Sequence, residues 1–221
     1  MHPVAYSAEY QGDDRNRLTV FFRLFVAIPW FFVAFFYGIA AYFATIIAWF
    51  AIVITGNYPQ GLYDFNAGFI RFVSRINGFT YLLTDEFPSF GGDEEPNYPI
   101  RVLIEPPKAE YSRMKTLFRM FLLIPVFILN YVMSVILMWV GLFAWLVLVF
   151  TAELPEGLYK PLRIGTAYGA KALAYMMLLT EDFPPFWMDE EEEAPRFLSG
   201  GGGPAAGDLT AQAETTGPAG F

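Results

Sequence analysis

Residues 18–63 read LTVFFRLFVAIPWFFVAFFYGIAAYFATIIAWFAIVITGNYPQGLY, and residues 114–159 repeat their pattern as MKTLFRMFLLIPVFILNYVMSVILMWVGLFAWLVLVFTAELPEGLY. Arg23 recurs as Arg119, 96 residues later, and the other matched positions keep this offset without a gap. A register kept over roughly 75 residues indicates an internal duplication rather than chance similarity. The chain therefore contains one structural unit twice.

The composition is that of an integral membrane protein. Of the 221 residues, 55% are hydrophobic, only 16% are charged and 24 are phenylalanine. Apolar runs of this length exceed what a soluble core requires and reach the thickness of a bilayer. The net charge of −8 argues against nucleic acid as a partner, and it arises mainly from acidic runs at residues 93–95 and 189–193.

Cysteine and histidine, two residues that catalysis often uses, are absent or nearly absent from the sequence. It has no cysteine, and its single histidine is His2, which excludes disulfides, thiolate chemistry and a histidine-based metal site. No nucleotide-binding motif and no paired nucleophile and base are recognisable, so we expect no enzyme, no cofactor and no bound metal. About seventeen largely polar residues precede the first apolar run, which indicates an uncleaved anchor rather than a signal peptide.

Each apolar block is predicted to form a helical hairpin. Residues 24–63 and 120–152 contain no charged side chain. One crossing needs about 20 residues and two with a turn need roughly 40, so both runs are closer to two crossings, about four transmembrane helices in total. A hairpin with such short arms leaves a second reading open, a wedge that stops before the far leaflet. The expected turns lie near Gly38 and Ser134, and the expected kinks lie at Pro29 and Pro125.

Basic residues predict the orientation. They flank both apolar blocks at both ends, and hairpins would place all of them on one side of the membrane, which the positive-inside rule makes cytoplasmic. We therefore expect a multi-pass protein of the inner (cytoplasmic) membrane with both termini in the cytoplasm. The flanking residues are Arg15, Arg17, Arg71, Arg75, Lys108, Arg113, Lys115, Lys160, Arg163 and Lys171.

A third element follows each hairpin, and a short strand precedes it. On residues 62–83 the apolar side chains form one helical stripe and Arg71 and Arg75 lie on another, which is typical of an amphipathic helix in the membrane interface. Residues 2–10 and 100–105 alternate apolar with smaller or polar positions, which predicts two related strands that are able to pair.

The predicted fold is an all-α integral membrane protein of two tandem repeats. Each repeat contains a short N-terminal strand, an apolar helical hairpin and an interfacial amphipathic helix. Repeat 1 is predicted at 1–90, with its hairpin at 18–55 and its interfacial helix at 62–83, and a linker follows at 91–99. Repeat 2 is predicted at 100–187, with its hairpin at 117–152 and its interfacial helix at 158–179. The remaining residues, 188–221, are predicted to be a disordered tail that is first acidic and then rich in Gly, Ala and Pro.

Two sets of charged residues are candidate functional groups. An arginine inside an apolar block suggests a functional site, and the repeated acidic pair supplies possible partners for it. If a two-fold arrangement brought the four carboxylates together, they would suit a cation or proton path. The competing interpretation is structural. In it the arginines snorkel to lipid phosphates, and the acidic pairs cap helix ends or pair with nearby basic side chains. The first set is Arg23, Asp85, Glu86, Arg119, Glu181 and Asp182. The second set, suited to headgroup contact, is Arg71, Arg75, Arg163 and Lys171.

The motifs of the first copy resemble a known family. Arg-x5-Arg-x5-Pro begins at Arg17, Trp-x5-Thr-x3-Pro-x-Gly-Leu at Trp49, Arg-x3-Arg at Arg71, and Leu-Leu-Thr-Asp-x-Phe-Pro-x-Phe at Leu82. Their combination is similar to domain of unknown function 4389, a family of bacterial membrane proteins in which the unit often occurs in tandem. The resemblance covers about residues 1–187. It implies the fold and a bacterial membrane location, and it implies no activity.

The chain departs from the family pattern at four positions, one of which is Lys171 in the second copy in place of Arg75. The proline of the first motif is often followed by histidine in the family, whereas Trp30 and Val126 stand there in the two copies. The second copy also has Ala167 where the first has Arg71. Any role of the family's histidine is therefore absent from this chain.

Three functions fit these patterns. The first is a non-enzymatic scaffold or accessory subunit for another membrane component. The second is a small solute or lipid carrier with its path at the repeat interface, although the apolar blocks contain few of the polar, broken helices that carriers use. The third is a bilayer-shaping hairpin protein. The lipid bilayer is the expected partner in each case, together with another membrane protein or a second copy of the chain.

Overall fold

A computed structural model describes residues 2–12, 15–185 and 196–197 of the chain. The chain divides into two units, and the elements described here belong to the first, residues 1–188. The tail predicted at 188–221 therefore lies outside the described residues, apart from 196–197. The elements of the first unit, in chain order, are β1 (Val4–Ala8), α1 (Arg17–Val26), α2 (Ile28–Thr55), α3 (Gln60–Thr80), β2 (Ile100–Ile104), α4 (Arg113–Leu117), α5 (Arg119–Thr151) and α6 (Glu156–Met176).

A capped short helix begins the helical part of each repeat. The Asn16 side chain accepts hydrogen bonds from the backbone N–H groups of Leu18 and Thr19, which begins α1. In repeat 2 the Ser112 side chain accepts one from the Lys115 N–H and begins α4. Both caps satisfy N–H groups that have no partner inside the helix.

The two prolines have different positions in their helices. α1 and α2 are separated only by Ala27, and Pro29 lies in the first turn of α2, where its missing N–H is tolerated. In repeat 2 the interruption falls at Phe118, between α4 and α5, and Pro125 lies inside α5. The break is therefore next to the proline only in repeat 1.

The structure does not contain the two predicted hairpins, because α2 and α5 continue through both expected turns as single helices. Gly38 allows another helix to approach closely, since a Cβ at this position would lie 3.3 Å from the Phe69 ring of α3. The Ser134 hydroxyl donates to the Asn130 carbonyl four residues earlier, a bond that a helix accommodates. Each long uncharged run is thus one helix rather than two arms.

The chain reverses after the long helices instead. α2 ends at Gly56, whose φ of 80° is a left-handed conformation that glycine adopts without strain. Ala152 has a φ of 63° at the equivalent place after α5. α3 then returns along α2, and the Tyr37 hydroxyl donates to the Phe65 carbonyl at 3.1 Å. Each repeat is therefore a hairpin of one long apolar helix and one amphipathic helix.

The two predicted strands do pair with each other. β1 and β2 form an antiparallel ribbon in which Tyr6 lies opposite Val102 and Val4 lies opposite Ile104. Tyr6 and Val102 are counterparts under the duplication, so the two repeats are related by a pseudo-two-fold rotation about the centre of the ribbon.

α3 lies between the ribbon and α2. A Cβ on Gly78 would meet the Ile100 side chain of β2 at 2.5 Å, whereas Phe69 packs on Gly38 of α2. Gly78 and Phe69 are nine residues apart, which is about half a turn around the helix at 100° per residue. α3 therefore uses opposite faces for these two contacts.

α6 holds the matching position in repeat 2. The Tyr159 hydroxyl donates to the Ala8 carbonyl of β1, and Gly165 allows Leu137 of α5 to approach. α3 and α6 also contact each other. The fold thus has three layers, namely the ribbon, the α3–α6 pair and the long helices. Because neighbours cover both faces of α3 and α6, these helices are core elements rather than the interfacial helices expected from their amphipathic pattern.

The outer surface of the long helices is apolar. Between Ile28 and Ile54 every exposed residue of α2 is apolar, and these residues span about 200° of its circumference. The buried stripe of α2 contains the small residues Ala41, Ala44 and Ala48. α5 has the same character, with Ser134 as the exposed polar residue in the body of the helix. A wide apolar surface is therefore left uncovered on the side away from the ribbon.

Candidate functional site

A buried ion-pair cluster joins the beginning of repeat 1 to its end. Asp85, in the turn after α3, accepts hydrogen bonds from Arg15 at 2.8 Å and from Arg23. The side chains of the two arginines are 3% and 2% exposed, and that of Asp85 is 26% exposed. One carboxylate thus compensates two buried guanidinium groups. Burial of this kind is tolerated only when the charges are paired and hydrogen-bonded.

Backbone carbonyls at the end of α3 complete this cluster. Arg23 donates to the Phe79 carbonyl, and Arg15 donates to the carbonyls of Leu82 and Leu83, both at 3.2 Å. The last carbonyls of a helix lack intrahelical partners and form the negative end of its dipole, so cations stabilise them. The cluster therefore fixes the C-terminus of α3 against α1.

Repeat 2 holds the counterpart of Arg23 in the same place without a carboxylate. Arg119 donates to the Tyr175 carbonyl at 2.5 Å and to the Thr180 carbonyl. Its Cζ atom also lies 3.6 Å from the centroid of the Tyr175 ring, a cation–π contact. The guanidinium thus binds backbone carbonyls at or after the helix end in both repeats, and within the described residues a direct ion pair is added in repeat 1 alone.

The other members of the cluster differ between the repeats. Glu181 accepts a hydrogen bond from the Ser112 N–H at 2.8 Å and lies 3.5 Å from the Lys108 amine, at the start of α4. Tyr111 stands where repeat 1 has Arg15, and its hydroxyl donates to a carbonyl just after α6 at 3.4 Å. A neutral donor therefore replaces the second arginine, and the acidic residue caps a helix instead.

The four carboxylates of the repeated motif do not come together. Asp85 and Glu181 belong to the separate clusters described above, and the side chains of Glu86 and Asp182 are exposed. A threonine two residues before each exposed acid accepts a hydrogen bond from that acid's N–H. Among residues 2–12 and 15–185, no three His, Cys, Asp or Glu side chains could hold a metal ion. The described residues thus favour the structural interpretation.

Arg75 holds the loop between the repeats. It donates to the Ser89 hydroxyl at 2.8 Å, to the Glu95 carboxylate at 3.1 Å and to the Asp93 carbonyl. Its side chain is only 4% exposed. Burial lowers the pKa of the Arg75 guanidinium, and the Glu95 carboxylate opposes that shift.

The residues chosen for headgroup contact are thus mostly occupied inside the protein. Arg71 pairs with Glu94 at 2.6 Å, and Lys171 is buried. Three other basic residues, which were not predicted to contact headgroups, are exposed at the starts of α1 and α4. Their position at the ends of the apolar runs is the sequence feature that could have identified them. Arg15 was also missed as a site residue, although its replacement by Tyr111 is the irregularity that marks it. The exposed residues are Arg17, Arg113 and Lys115.

Comparison with known families adds one finding. The family described as "Domain of unknown function (DUF4389)" matches residues 17–91 and again residues 113–188. The chain belongs to this family. Its two matches confirm the duplication and the resemblance noted above. The DUF4389 matches begin at α1 and at α4, and the strands precede them. The first match includes Arg23 and Asp85 but not Arg15, and the second includes Arg119 and Glu181. No curated protein and no solved structure matches the chain.

Within the described residues, two helical segments of this DUF4389 chain are long and apolar enough to cross a membrane. They are Arg17–Thr55 and Arg119–Thr151, whose apolar 18-residue windows have mean hydropathies of 2.1 and 2.6. This criterion considers only the length and composition of a helix. The four crossings predicted from the sequence are not found in the structure.

Proposed function

We propose that the protein is a non-enzymatic membrane protein that serves as a scaffold or accessory subunit for another membrane component. The observation that carries this proposal is the apolar outer surface of α2 and α5. Soluble monomers rarely expose a contiguous apolar patch of more than a few hundred Å². Lipid hydrocarbon is the environment that such a surface fits, because a continuous α-helix satisfies its backbone polar groups internally and its apolar side chains need no water.

The arrangement of the buried charges supports a structural role. Arg23 and Arg119 direct their donors at helix-end carbonyls of their own repeat, and Asp85 is held between two arginines. A substrate or transport site requires charged groups that face a cavity or a path. These groups instead fix helix ends, which favours a scaffold over a carrier.

The polar side of the molecule would be the surface for a protein partner. The ribbon and the loop between the repeats carry the ion pairs of Arg101 with Glu9 and of Arg71 with Glu94, and both carboxylates are largely exposed. Mixed charges of this kind suit an interface of moderate affinity, in which rim charges guide association.

Bilayer shaping is the second candidate. It is favoured by the position of the exposed apolar surface on only one side of the three layers. A protein that inserts from one side expands that leaflet more than the other, which bends the bilayer. Purified protein added to large vesicles would then produce tubules at high surface density.

Membrane attachment is the first thing to test. The full chain, expressed in bacteria, should sediment with membranes, resist alkaline carbonate and be released by detergent. Recovery in the soluble fraction, or release by carbonate, would refute the proposal.

Photo-cross-linking would test the scaffold role. A cross-linking amino acid at Glu94, whose side chain is 59% exposed, should yield a discrete adduct with another membrane protein. The matched position is Phe43 on the apolar surface, 58% exposed, which should cross-link to lipid. Solute or lipid flux in reconstituted vesicles, with no protein adduct at Glu94, would favour the carrier instead.

A further inference from the structure

The duplication gives the molecule a pseudo-two-fold axis. Tyr6 lies opposite its own counterpart Val102 in the ribbon. The long helices repeat this exchange, because the Trp49 indole donates to a carbonyl of repeat 2 and Trp145 to one of repeat 1, both at 3.0 Å. Two antiparallel neighbouring strands are exchanged by a rotation about an axis perpendicular to their sheet. The axis therefore passes through the ribbon, perpendicular to it.

The three layers are stacked along this axis. α3 contacts the ribbon with one face and α2 with the opposite face, and α6 is placed in the same way between the ribbon and α5. The ribbon therefore lies at one end of the axis. The exposed apolar surfaces of α2 and α5 lie at the other end.

An upright orientation would put charges into hydrocarbon. If the long helices ran along the membrane normal, the axis would lie in the membrane plane and the ribbon would be at mid-depth. The exposed carboxylates of Glu9 and Glu94 would then face lipid hydrocarbon, which strongly disfavours ionised side chains. A two-stranded ribbon with open edges is also not found in lipid-exposed hydrocarbon.

The length of the helices points the same way. At 1.5 Å per residue α2 is about 42 Å long and α5 about 50 Å, whereas the hydrocarbon core is about 30 Å thick. An upright helix would need a strong tilt, but a helix that lies in the plane has no such limit.

We propose that the protein inserts into a single leaflet, with its long helices in the membrane plane and its pseudo-two-fold axis along the membrane normal. The interaction surface is the exposed apolar side of α1, α2, α4 and α5, and its partner is the hydrocarbon of that leaflet. The exposed residues Arg17, Arg113 and Lys115 lie at the rim of this surface, where lipid phosphates are found. This inference rests on the proposed membrane function and replaces the four crossings expected from the sequence.

Spin-label depths give a direct test, and the chain has no cysteine that would interfere. Phe32 and Phe50 are both exposed and are 18 residues apart, which is five helical turns and about 27 Å along α2. Ile128 and Leu146 are their counterparts on α5 and are also exposed. Single cysteines at these four positions would be spin-labelled in the full chain, reconstituted in phosphatidylcholine–phosphatidylglycerol vesicles. Collision rates with oxygen and with an aqueous nickel chelate then report depth.

In-plane insertion predicts that all four labels lie at the same depth, within about one helical turn of 5 Å. A label at Glu94 should be fully accessible to the nickel chelate. Depths of Phe32 and Phe50 that differ by about 20 Å or more, with Phe32 and Ile128 in opposite leaflets, would overturn the inference.

Two further readouts separate the possible failures. Cysteines at Arg17 and Arg113 should react with an impermeant thiol reagent from the same side of the membrane, whereas an upright orientation places them on opposite sides. Protein that does not float with the vesicles would overturn the proposed membrane function and the orientation together. Protein that floats but has unequal depths would overturn the orientation alone.

Discussion

The indole nitrogen of Trp49 lies 3.0 Å from the carbonyl oxygen of Thr116, and the two residues belong to different repeats. Trp145 forms the counterpart bond to the Val20 carbonyl, also at 3.0 Å. Each long helix is thus attached, near its C-terminus, to the start of the helical part of the other repeat. Such reciprocal contacts are typical of symmetric homodimers, and here they occur inside one chain.

Replacement of either tryptophan by phenylalanine should weaken the joint between the repeats. Trp49→Phe and Trp145→Phe each remove one hydrogen bond between the repeats, at a cost of about 0.5–1.5 kcal/mol each in the free energy of unfolding. Chemical unfolding in detergent would measure it. Trp139→Phe is the matched control, since Trp139 is 62% exposed on α5. An equal loss in the control would contradict the assignment.

Asp85→Asn should be strongly destabilising. It removes the carboxylate that compensates Arg15 and Arg23, and breaking a buried ion pair costs about 3–5 kcal/mol. Glu86→Gln alters the exposed neighbour and should change stability by no more than about 0.5 kcal/mol. Thermal unfolding of both variants in the same detergent would compare them. A similar midpoint for the two variants would show that Asp85 is not the centre of the cluster.

Arg15→Tyr should be tolerated better than Arg15→Ala. The tyrosine imports the residue that repeat 2 uses at this position, Tyr111, whose hydroxyl binds a helix-end carbonyl. Alanine leaves the carbonyls of Leu82 and Leu83 without this donor, at about 1–3 kcal/mol. The order of unfolding midpoints decides the matter. Equally low midpoints for the two variants would show that the arginine charge, which both lack, is what the site requires.

Gly78→Ala should separate the ribbon from α3. The added Cβ would come within 2.5 Å of the Ile100 side chain, and overpacking typically costs about 1–3 kcal/mol. Gly61→Ala offers the opposite case, because no atom lies within 4 Å of a Cβ there. Since alanine is the better helix former, this control should be neutral or stabilising by up to about 1 kcal/mol. A stable Gly78→Ala variant would exclude the close contact.

Arg75→Ala should loosen the loop between the repeats. Its side chain satisfies the Ser89 hydroxyl, the Glu95 carboxylate and a loop carbonyl, so the loop should become sensitive to limited proteolysis. Arg71→Ala breaks an exposed ion pair, which is worth at most about 1 kcal/mol, and should leave the cleavage rate nearly unchanged. Equal protection of the two variants would argue against a loop anchored by Arg75.

Features that follow from a sequence pattern were predicted correctly, whereas features that depend on how helices pack together were not. The fixed offset identified the duplication, and alternation identified the strands that pair in the ribbon. The uncharged runs were misread because their length alone cannot separate one long helix from two short arms. Only the contact of Gly38 with Phe69 shows that this glycine serves packing rather than a turn.

The charged candidates were predicted with similar limits. Arg23 and Asp85 were named as partners from their types and positions, and the structure brings them together. Arg119 and Glu181 were expected to form the same pair, but each has other partners within its repeat. The second arginine of the cluster, Arg15, could not be placed, because its contacts depend on how the turn after α3 folds back on α1.

The ribbon has a consequence for how the protein is assembled. Each strand precedes its own repeat but finds its partner in the other, so a single repeat is incomplete on its own and would need a second copy. In the tandem chain the linker keeps the two halves together at a high effective concentration, and assembly becomes independent of dilution. The two halves of the interface also no longer have to be identical, so the interface need not be self-complementary. The pairing of Arg15 with Asp85 on one side, and the neutral Tyr111 on the other, is an asymmetry that a homodimer could not have.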